Sequence, residues 1–393
     1  MKRITALPIK GESYLLQYMG KLILVDGGYT GSSLALALKK QLGKPNIHLD
    51  VVVCTHNDKD HAGGLTDLLD RPGITASEFW LPGSWKEAVK ELVEETELFY
   101  QELVKEFKDG EHIGTLFAEE NETIDSELAK LISNAPFADE GDPREARRTL
   151  ELRPAKLDTK TKAASKAKKS IRKMGKSRGI TRRAMDLIDT AERIREIALS
   201  ANGKNVCVRW FDYLAYSKDR KATGGEVFLT PINAKELREP PALRGISFRR
   251  FIALSRANRE SLAFLSSGDD AHVDVMFCGD SPLGDGPRYA NSFLSGKRTC
   301  KPLIATAPHH GADSNAMAYG HIAEFGDVCF WIRAGGKAHH PQSAYRTIPS
   351  SIRTCTHCPH KHLPLQAVCI TDKCEKFTDP KAWLTVRSHD CLC

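Results

Sequence analysis

The sequence predicts an α/β protein, and three observations carry that expectation. Over residues 1 to about 82, short apolar runs alternate with helix-patterned segments. One run, Val51 to Val53, reads as a buried strand and stops in a cluster of metal-friendly side chains: His56, Asp58, Asp60 and His61. Two later apolar runs also end in such groups, one at Gly279-Asp280 and one at His309-His310-Gly311.

Taken in order, Tyr14 to Tyr18 and Lys21 to Val25 read as a hairpin that ends in Asp26-Gly27-Gly28. A helix over about Ser32 to Leu42 leads into the Val51 strand, and Leu65 to Leu69 looks helical. After Leu81-Pro82-Gly83 the character changes. Val89, Leu92, Val93, Phe99, Leu103 and Phe107 recur among Glu and Lys, which predicts one long amphipathic helix from Trp85 to Lys108. Glu122 to Ile132 reads as a short helix, and Arg182 to Leu199 returns to helical spacing. Strand-like segments resume at Val206–Tyr213, Glu226–Leu229, Asn258–Leu265, Val273–Cys278, Leu303–Ala307 and Val328–Ile332.

This pattern divides the 393 residues into a host domain at 1–83 and 204–350, a mostly helical insertion at 84–203, and a Cys/His-rich segment at 351–393. The apolar content of 41% is enough for a substantial core. No run of about eighteen apolar residues and no apolar leader stands out, so a cytoplasmic location without a membrane is expected. In that setting eleven cysteines read as free thiols or metal ligands rather than disulfides.

The net charge of +7 is unevenly spread. Lys156 to Arg183 holds twelve Lys or Arg and a single acid, Asp158. Such a block is either a solvated linker or a surface for DNA or RNA phosphates, since clustered cations gain from counterion release. Few aromatics interrupt it, so base stacking is not expected.

The chemistry concentrates in Thr55-His56-Asn57-Asp58-Lys59-Asp60-His61-Ala62-Gly63-Gly64. Four candidate ligands thrown from one tight loop can hold two metal ions a few ångströms apart. Imidazole with carboxylate suits Zn²⁺ or Mn²⁺ and leaves positions open for water, which becomes a nucleophile near neutral pH.

This loop resembles the His-x-His-x-Asp-His loop of the metallo-β-lactamase fold, with Asp58 in place of the second His. That variant resembles the ComEC-like branch, whose loop reads Ser/Thr-His-x-Asp-x-Asp-His-x-Gly-Gly. The Asp26-Gly27-Gly28 strand end, Ser261-Leu262 and Pro308-His309-His310-Gly311-Ala312-Asp313-Ser314 are similar to the same branch. The resemblance implies an αββα sandwich, with the insertion beside the mouth of the site. It implies that His56 and Asp58 hold one ion, that Asp60, His61 and His310 hold the other, and that Asp280 bridges them. His309 would face the substrate, or the two adjacent histidines would exchange roles. His340, in His340-Pro341, would polarise or protonate the substrate oxygen, with His339 as its competitor. His272 lies near the bridging strand without a matching context and takes no role.

The tail has its own motif. Cys355-x-x-Cys358 has zinc-knuckle spacing and Cys369-x₄-Cys374 is a wider pair, so a structural Zn²⁺ on these four thiolates is one reading. Surplus thiols are the other.

The function expected from these readings is a dinuclear metal hydrolase using a metal-bound hydroxide, with Asp60, His309 and His340 in the chemistry. Asp58 makes the first metal position harder and more anionic, which favours Mn²⁺ and phosphoryl substrates. A phosphodiesterase or nuclease is therefore expected. An esterase or peptidase of the same fold is the alternative. An interaction subunit gated by a regulatory protein partner is a third.

Overall fold

In the computed structural model of the chain, the described residues are 1–109, 148–149, 160–237, 260–268, 272–336, 339–357, 365–372 and 384–387. They form two mixed sheets packed face to face, with helices on both outer faces.

The first sheet has the order β16-β15-β1-β2-β3-β4-β5-β7-β6, with β9 also paired to β7. Its strands are β1 (Lys2–Ala6), β2 (Tyr14–Tyr18), β3 (Lys21–Val25), β4 (Ile47–Val53), β5 (Ile74–Pro82), β6 (Arg148–Thr149), β7 (Cys207–Asp212), β9 (Lys235–Leu237), β15 (Val368–Asp372) and β16 (Leu384–Arg387). The second sheet runs β14-β13-β12-β11-β10-β8. These are β8 (Thr230–Pro231), β10 (Phe264–Ser266), β11 (Asp274–Phe277), β12 (Leu303–Thr306), β13 (Val328–Arg333) and β14 (Arg353–Cys355). Both sheets have parallel centres: β3, β4, β5 and β7 in one, β11 to β14 in the other.

Side-chain alternation along the strands separates three cores. Ile4, Leu16, Val51, Val53 and Trp80 face Phe264, Val275, Phe277, Ile304 and Ile332 between the sheets. On the outer face of the first sheet, Leu24, Val52, Phe79 and Val208 meet the helices Gly31–Leu42, Trp85–Glu94, Thr96–Asp109, Lys160–Lys173 and Arg178–Gly203. On the other outer face, Met276, Leu303, Ala305 and Trp331 meet the helix Ala316–Phe325. The result is the expected αββα layering.

Two expectations need correction: the long helix after Gly83 and the grouping of four cysteines on one ion. The single helix over Trp85 to Lys108 is two helices, broken at Glu95 (φ −122°, ψ 36°). The break has a local cause. Buried Arg195 donates through Nε to the Leu92 carbonyl (3.0 Å) and to Thr96 Oγ1 (3.2 Å), while Thr96 Oγ1 bonds the same carbonyl (2.7 Å). These groups satisfy the free end of the first helix. The segment Glu122 to Ile132 lies outside the described residues.

The described parts of the insertion pack onto the host. Its helices cover the outer face of the first sheet, and β6 pairs with β7. The basic run, from Lys160 onward, lies on the helix Lys160–Lys173 and the start of the helix Arg178–Gly203, with a short turn between them. Ala163, Ala164, Ala167 and Ile171 are buried, while Lys162, Lys166, Lys169, Arg172 and Lys173 are exposed. Lys156 to Thr159 lie outside the described residues. No helix among the described residues is long and apolar enough to cross a membrane.

The described parts of 351–393 join both sheets. β14 extends the second sheet, and β15 and β16 extend the first. Cys355 lies in the outer core of the second sheet. Cys369 alternates with Val368 and Ile370, which face the inter-sheet core, so it faces the outer side of the first sheet. There its Sγ accepts from Arg3 Nε at 2.9 Å. Sheets pack about 10 Å apart and zinc–sulfur bonds are about 2.3 Å, so one ion cannot take both thiolates. The four-cysteine zinc reading fails on this pair; Cys358 and Cys374 lie outside the described residues.

Candidate metal centre

The candidate side chains leave the carboxyl ends of the parallel strands, where loops of α/β sheets carry ligands. β3 ends at Asp26, β4 delivers His56 to His61, β11 delivers Asp280, β12 delivers His309 and His310, and β13 leads to His340.

The β4 loop is folded tightly against the Asp26 turn. Gly27 N donates to the His61 carbonyl (2.7 Å) and Gly64 N to the Gly28 carbonyl (2.7 Å). A Cβ on Gly64 would stand 1.9 Å from the Gly27 carbonyl oxygen, so only glycine permits this approach. At the β12 end, His309 (φ 47°), His310 (φ 54°) and Gly311 (φ 83°) take the left-handed conformation in succession. Non-glycine residues held there cost of order 1–3 kcal/mol each, and such outliers cluster at functional sites. Arg333 braces this turn. It is buried, and donates to the carbonyls of His310 (2.8 Å), Gly335 (2.7 Å) and His357 (2.8 Å).

Two groups of potential ligands result, His56, Asp58 and Asp280 in one and Glu12, His61, Asp280 and His310 in the other, and they share Asp280. In the first, His56 Nε2 lies 3.8 Å from Asp58 Oδ2 and 3.5 Å from Asp280 Oδ2. In the second, Asp280 Oδ1 lies 3.2 Å from His61 Nε2 and 3.8 Å from His310 Nε2. Asp60 Oδ2 is 3.1 Å from His310 Nε2, and the two imidazole Nε2 atoms are 3.2 Å apart. His56, His61, Asp280 and His310 are buried, whereas the Asp58 side chain is 43% exposed.

The far nitrogens of the rings are occupied. His61 Nδ1 faces Asp26 Oδ2 at 2.8 Å, and His310 Nδ1 faces the Ala334 carbonyl at 3.0 Å. His56 Nδ1 meets Thr55 Oγ1 (2.9 Å) and Ser261 Oγ (3.2 Å). Each ring therefore directs Nε2 toward the shared space. Buried His56 Nε2 and Asp280 Oδ1 have no hydrogen-bond partner there. Converging imidazoles and carboxylates with unspent lone pairs fit divalent cations.

Electrostatics agree with that fit. Burial alone would disfavour a charged His61, yet the Asp280 and Asp26 carboxylates raise its pKa well above the ordinary value. Burial opposes charge on His310 too, and Asp280, Asp60 and Glu12 more than reverse it. Burial likewise raises Asp280, but His61, His310 and His56 outweigh it and hold the carboxyl well below its usual range. The centre is thus a lattice of mutual ion pairs whose protons a cation would replace.

His309 and His340 stand at the open side. His309 is the less buried of the adjacent pair, with Nε2 3.5 Å from Asp280 Oδ2; His310 sits among Asp60, His61 and Asp280. The His340 ring stacks on His310 (centroids 6.2 Å apart), and its buried Nδ1 has no protein partner. His339 packs edge-on against it. His272 is remote from the group: its Nδ1 pairs with Asp372 at 3.1 Å.

Four contributors were not assigned from the sequence: Glu12, Asp26 as a partner of His61, Arg193 and Arg333. Arg193 belongs to the Arg178–Gly203 helix and donates through Nε to the Asn57 carbonyl at 2.9 Å, so the insertion touches the ligand loop. A signal for Glu12 existed in Gly11-Glu12-Ser13, an acid set between a glycine and a buried strand. Nothing local marked the two arginines.

An αββα sandwich that gathers His and Asp side chains at its strand ends defines a class of metal-binding protein. Residues 8–119 match the family model of the metallo-beta-lactamase superfamily, whose members are generally hydrolytic and bind divalent metals. No curated protein matches the chain.

Proposed function

We propose that the protein is a dinuclear metal-dependent phosphodiesterase that cleaves nucleic acid. The observation that carries this reading is the sharing of Asp280 between the two groups of potential ligands. When bound, two divalent ions would supply an activated water at neutral pH and neutralise charge growing on a phosphoryl group. His56 and Asp58 would hold one ion, and Asp60, His61 and His310 the other. Asp58 in place of an imidazole favours Mn²⁺.

The chain's own groups supply the remaining steps. Asp60 and Asp280 hold the ligand imidazoles in place. Burial and the neighbouring His310 push the His340 pKa down to about 4, so its ring is neutral at pH 7 and offers one N–H to a substrate oxygen. His309 is placed to assist the leaving oxygen. The exposed cations of the Lys160–Lys173 helix would follow a phosphate backbone. The likeness of the ligand loop to the ComEC-like branch, which includes nuclease domains, supports the same substrate class.

The test is metal analysis together with turnover of single- and double-stranded DNA and RNA, with Mn²⁺ or Zn²⁺ supplied. Two ions per chain and metal-dependent cleavage are expected. His340→Ala should keep both ions and slow cleavage by about 10²–10⁴-fold. Turnover of esters or peptides with intact nucleic acids would replace the substrate assignment.

A further inference from the structure

We infer that Glu12 is a positioning residue that orients His310 toward the metal ion; this rests on the metal-hydrolase reading above. Glu12 lies in the connection between β1 and β2, in the first sheet, whereas His310 follows β12 of the second. It joins the two halves of the site. Its backbone N donates to the Asp60 carbonyl (2.7 Å), and its carbonyl accepts from Gly28 N (2.9 Å). The preceding Gly11 (φ 86°) has space for no side chain, since a Cβ would lie 2.3 Å from the Asp60 carbonyl oxygen. The Glu12 carboxylate then crosses to His310, with Oε2 3.1 Å from Nδ1.

Glu12 belongs to the same group of potential ligands as His61, Asp280 and His310, and the side from which it approaches the His310 ring sets its role apart. Asp60, Asp280 and His61 approach His310 at Nε2, the front of the ring, whereas Glu12 approaches at Nδ1, the back. Asp26 stands behind His61 in the same way. Carboxylates so placed fix the tautomer of a ligating imidazole, hold its angle and increase its basicity. Glu12 is 1% exposed, and Oε2 has no hydrogen bond of acceptable geometry. Burying a carboxylate without compensation is costly, so a nearby positive charge is needed. An imidazole loaded with a cation at Nε2 supplies it, with an Nδ1–H that Glu12 shares with the Ala334 carbonyl.

The experiment titrates metal-free parent, Glu12→Gln and Glu12→Asp with Mn²⁺ or Zn²⁺ by calorimetry, and follows the His310 imidazole proton by NMR. The parent should bind two ions. Glu12→Gln should bind one of them about 10–100-fold more weakly, leave the other near its parental affinity, and shift the Nδ1–H resonance. Glu12→Asp should fall between the two. At saturating metal, turnover of a small phosphodiester by Glu12→Gln should return toward the parental rate with KM little changed. Parental affinities for both ions would make Glu12 merely structural. Loss of one ion at every concentration would make it a ligand; either result overturns the proposal. If Glu12→Gln does not fold, Glu12→Asp decides: one weakened ion supports the assignment and two parental affinities reject it. A parent that binds two ions but hydrolyses nothing would sink the hydrolase reading alone.

Discussion

Asp26 Oδ2 sits 2.8 Å from His61 Nδ1 and also accepts from Thr55 Oγ1 at 2.7 Å, while Asp26 Oδ1 accepts from Thr55 N at 2.8 Å. One carboxylate therefore fixes both a candidate ligand ring and the loop that carries it. Asp26→Asn keeps the shape and removes the charge behind His61. Metal affinity should fall by about 10–100-fold at one position, read by calorimetry on metal-free protein. Unchanged affinity would reduce Asp26 to a loop anchor.

Asp280→Ala should remove most of both ions, because its two oxygens face the two different groups. Elemental analysis after dialysis measures this. Retention of both ions would exclude a bridging role.

Metal uptake should release protons. In the metal-free protein the Asp280 and Asp26 carboxylates raise the His61 pKa against the effect of burial, and His310 is pushed from 6.5 up to about 10, so His310 carries a proton at neutral pH. The sign follows. The stability that His310 contributes is full below its ordinary value and is lost as pH rises through its raised one. Metal-free protein should lose thermal stability over that interval, and loaded protein should not. Affinity for the ion should weaken as pH falls, since protons compete for the same lone pairs. Calorimetry in buffers of different ionisation enthalpy measures the released protons; none released would contradict the ion-pair lattice.

The basic helix yields a charge test. Lys168 is already engaged, with Nζ 2.5 Å from Asp189 and 3.0 Å from Glu192, so it belongs to the fold. Lys162, Lys169, Arg172 and Lys173 are exposed. Changing these four to Gln should weaken DNA or RNA binding and flatten the log–log dependence of affinity on salt. Metal content and hydrolysis of a small phosphodiester should stay near parental values. A slope equal to the parent's would remove this helix from the binding surface.

Cys355→Ser with Cys369→Ser should leave the metal content unchanged, because the two thiols occupy opposite outer faces. Loss of an ion in the double variant would revive a shared site.

The sequence exposed the parts of the site that are contiguous. Residues His56 to His61 carry their chemistry in one stretch, and the glycines beside them mark the close approach that the fold requires. Asp280 and His310 were visible because each ends an apolar run. Glu12 carried only the local signal of Gly11-Glu12-Ser13, because its partner lies 298 positions away in the other sheet. The broken helix at Glu95 was equally hidden: its cause is Arg195, from a distant helix, and periodicity within Trp85 to Lys108 carries no trace of it. The grouping of Cys355 with Cys369 misled for a related reason. Spacing shows which residues are near in sequence, and strand alternation then assigned Cys355 and Cys369 to different faces.

The pairing of β15 with β1 bears on how the molecule is assembled. Strand β1 has β2 on one side and β15 on the other, with Arg3 and Cys369 joined across 366 positions. A chain halted before Val368 leaves β1 as an open edge, the kind that recruits other strands. Pairing over such a separation is slow, because loop-closure entropy precedes the contacts that offset it. The connection that bears Glu12 starts from this strand. The turn behind His310 is thus tied to a strand whose second neighbour comes from the far end of the described residues.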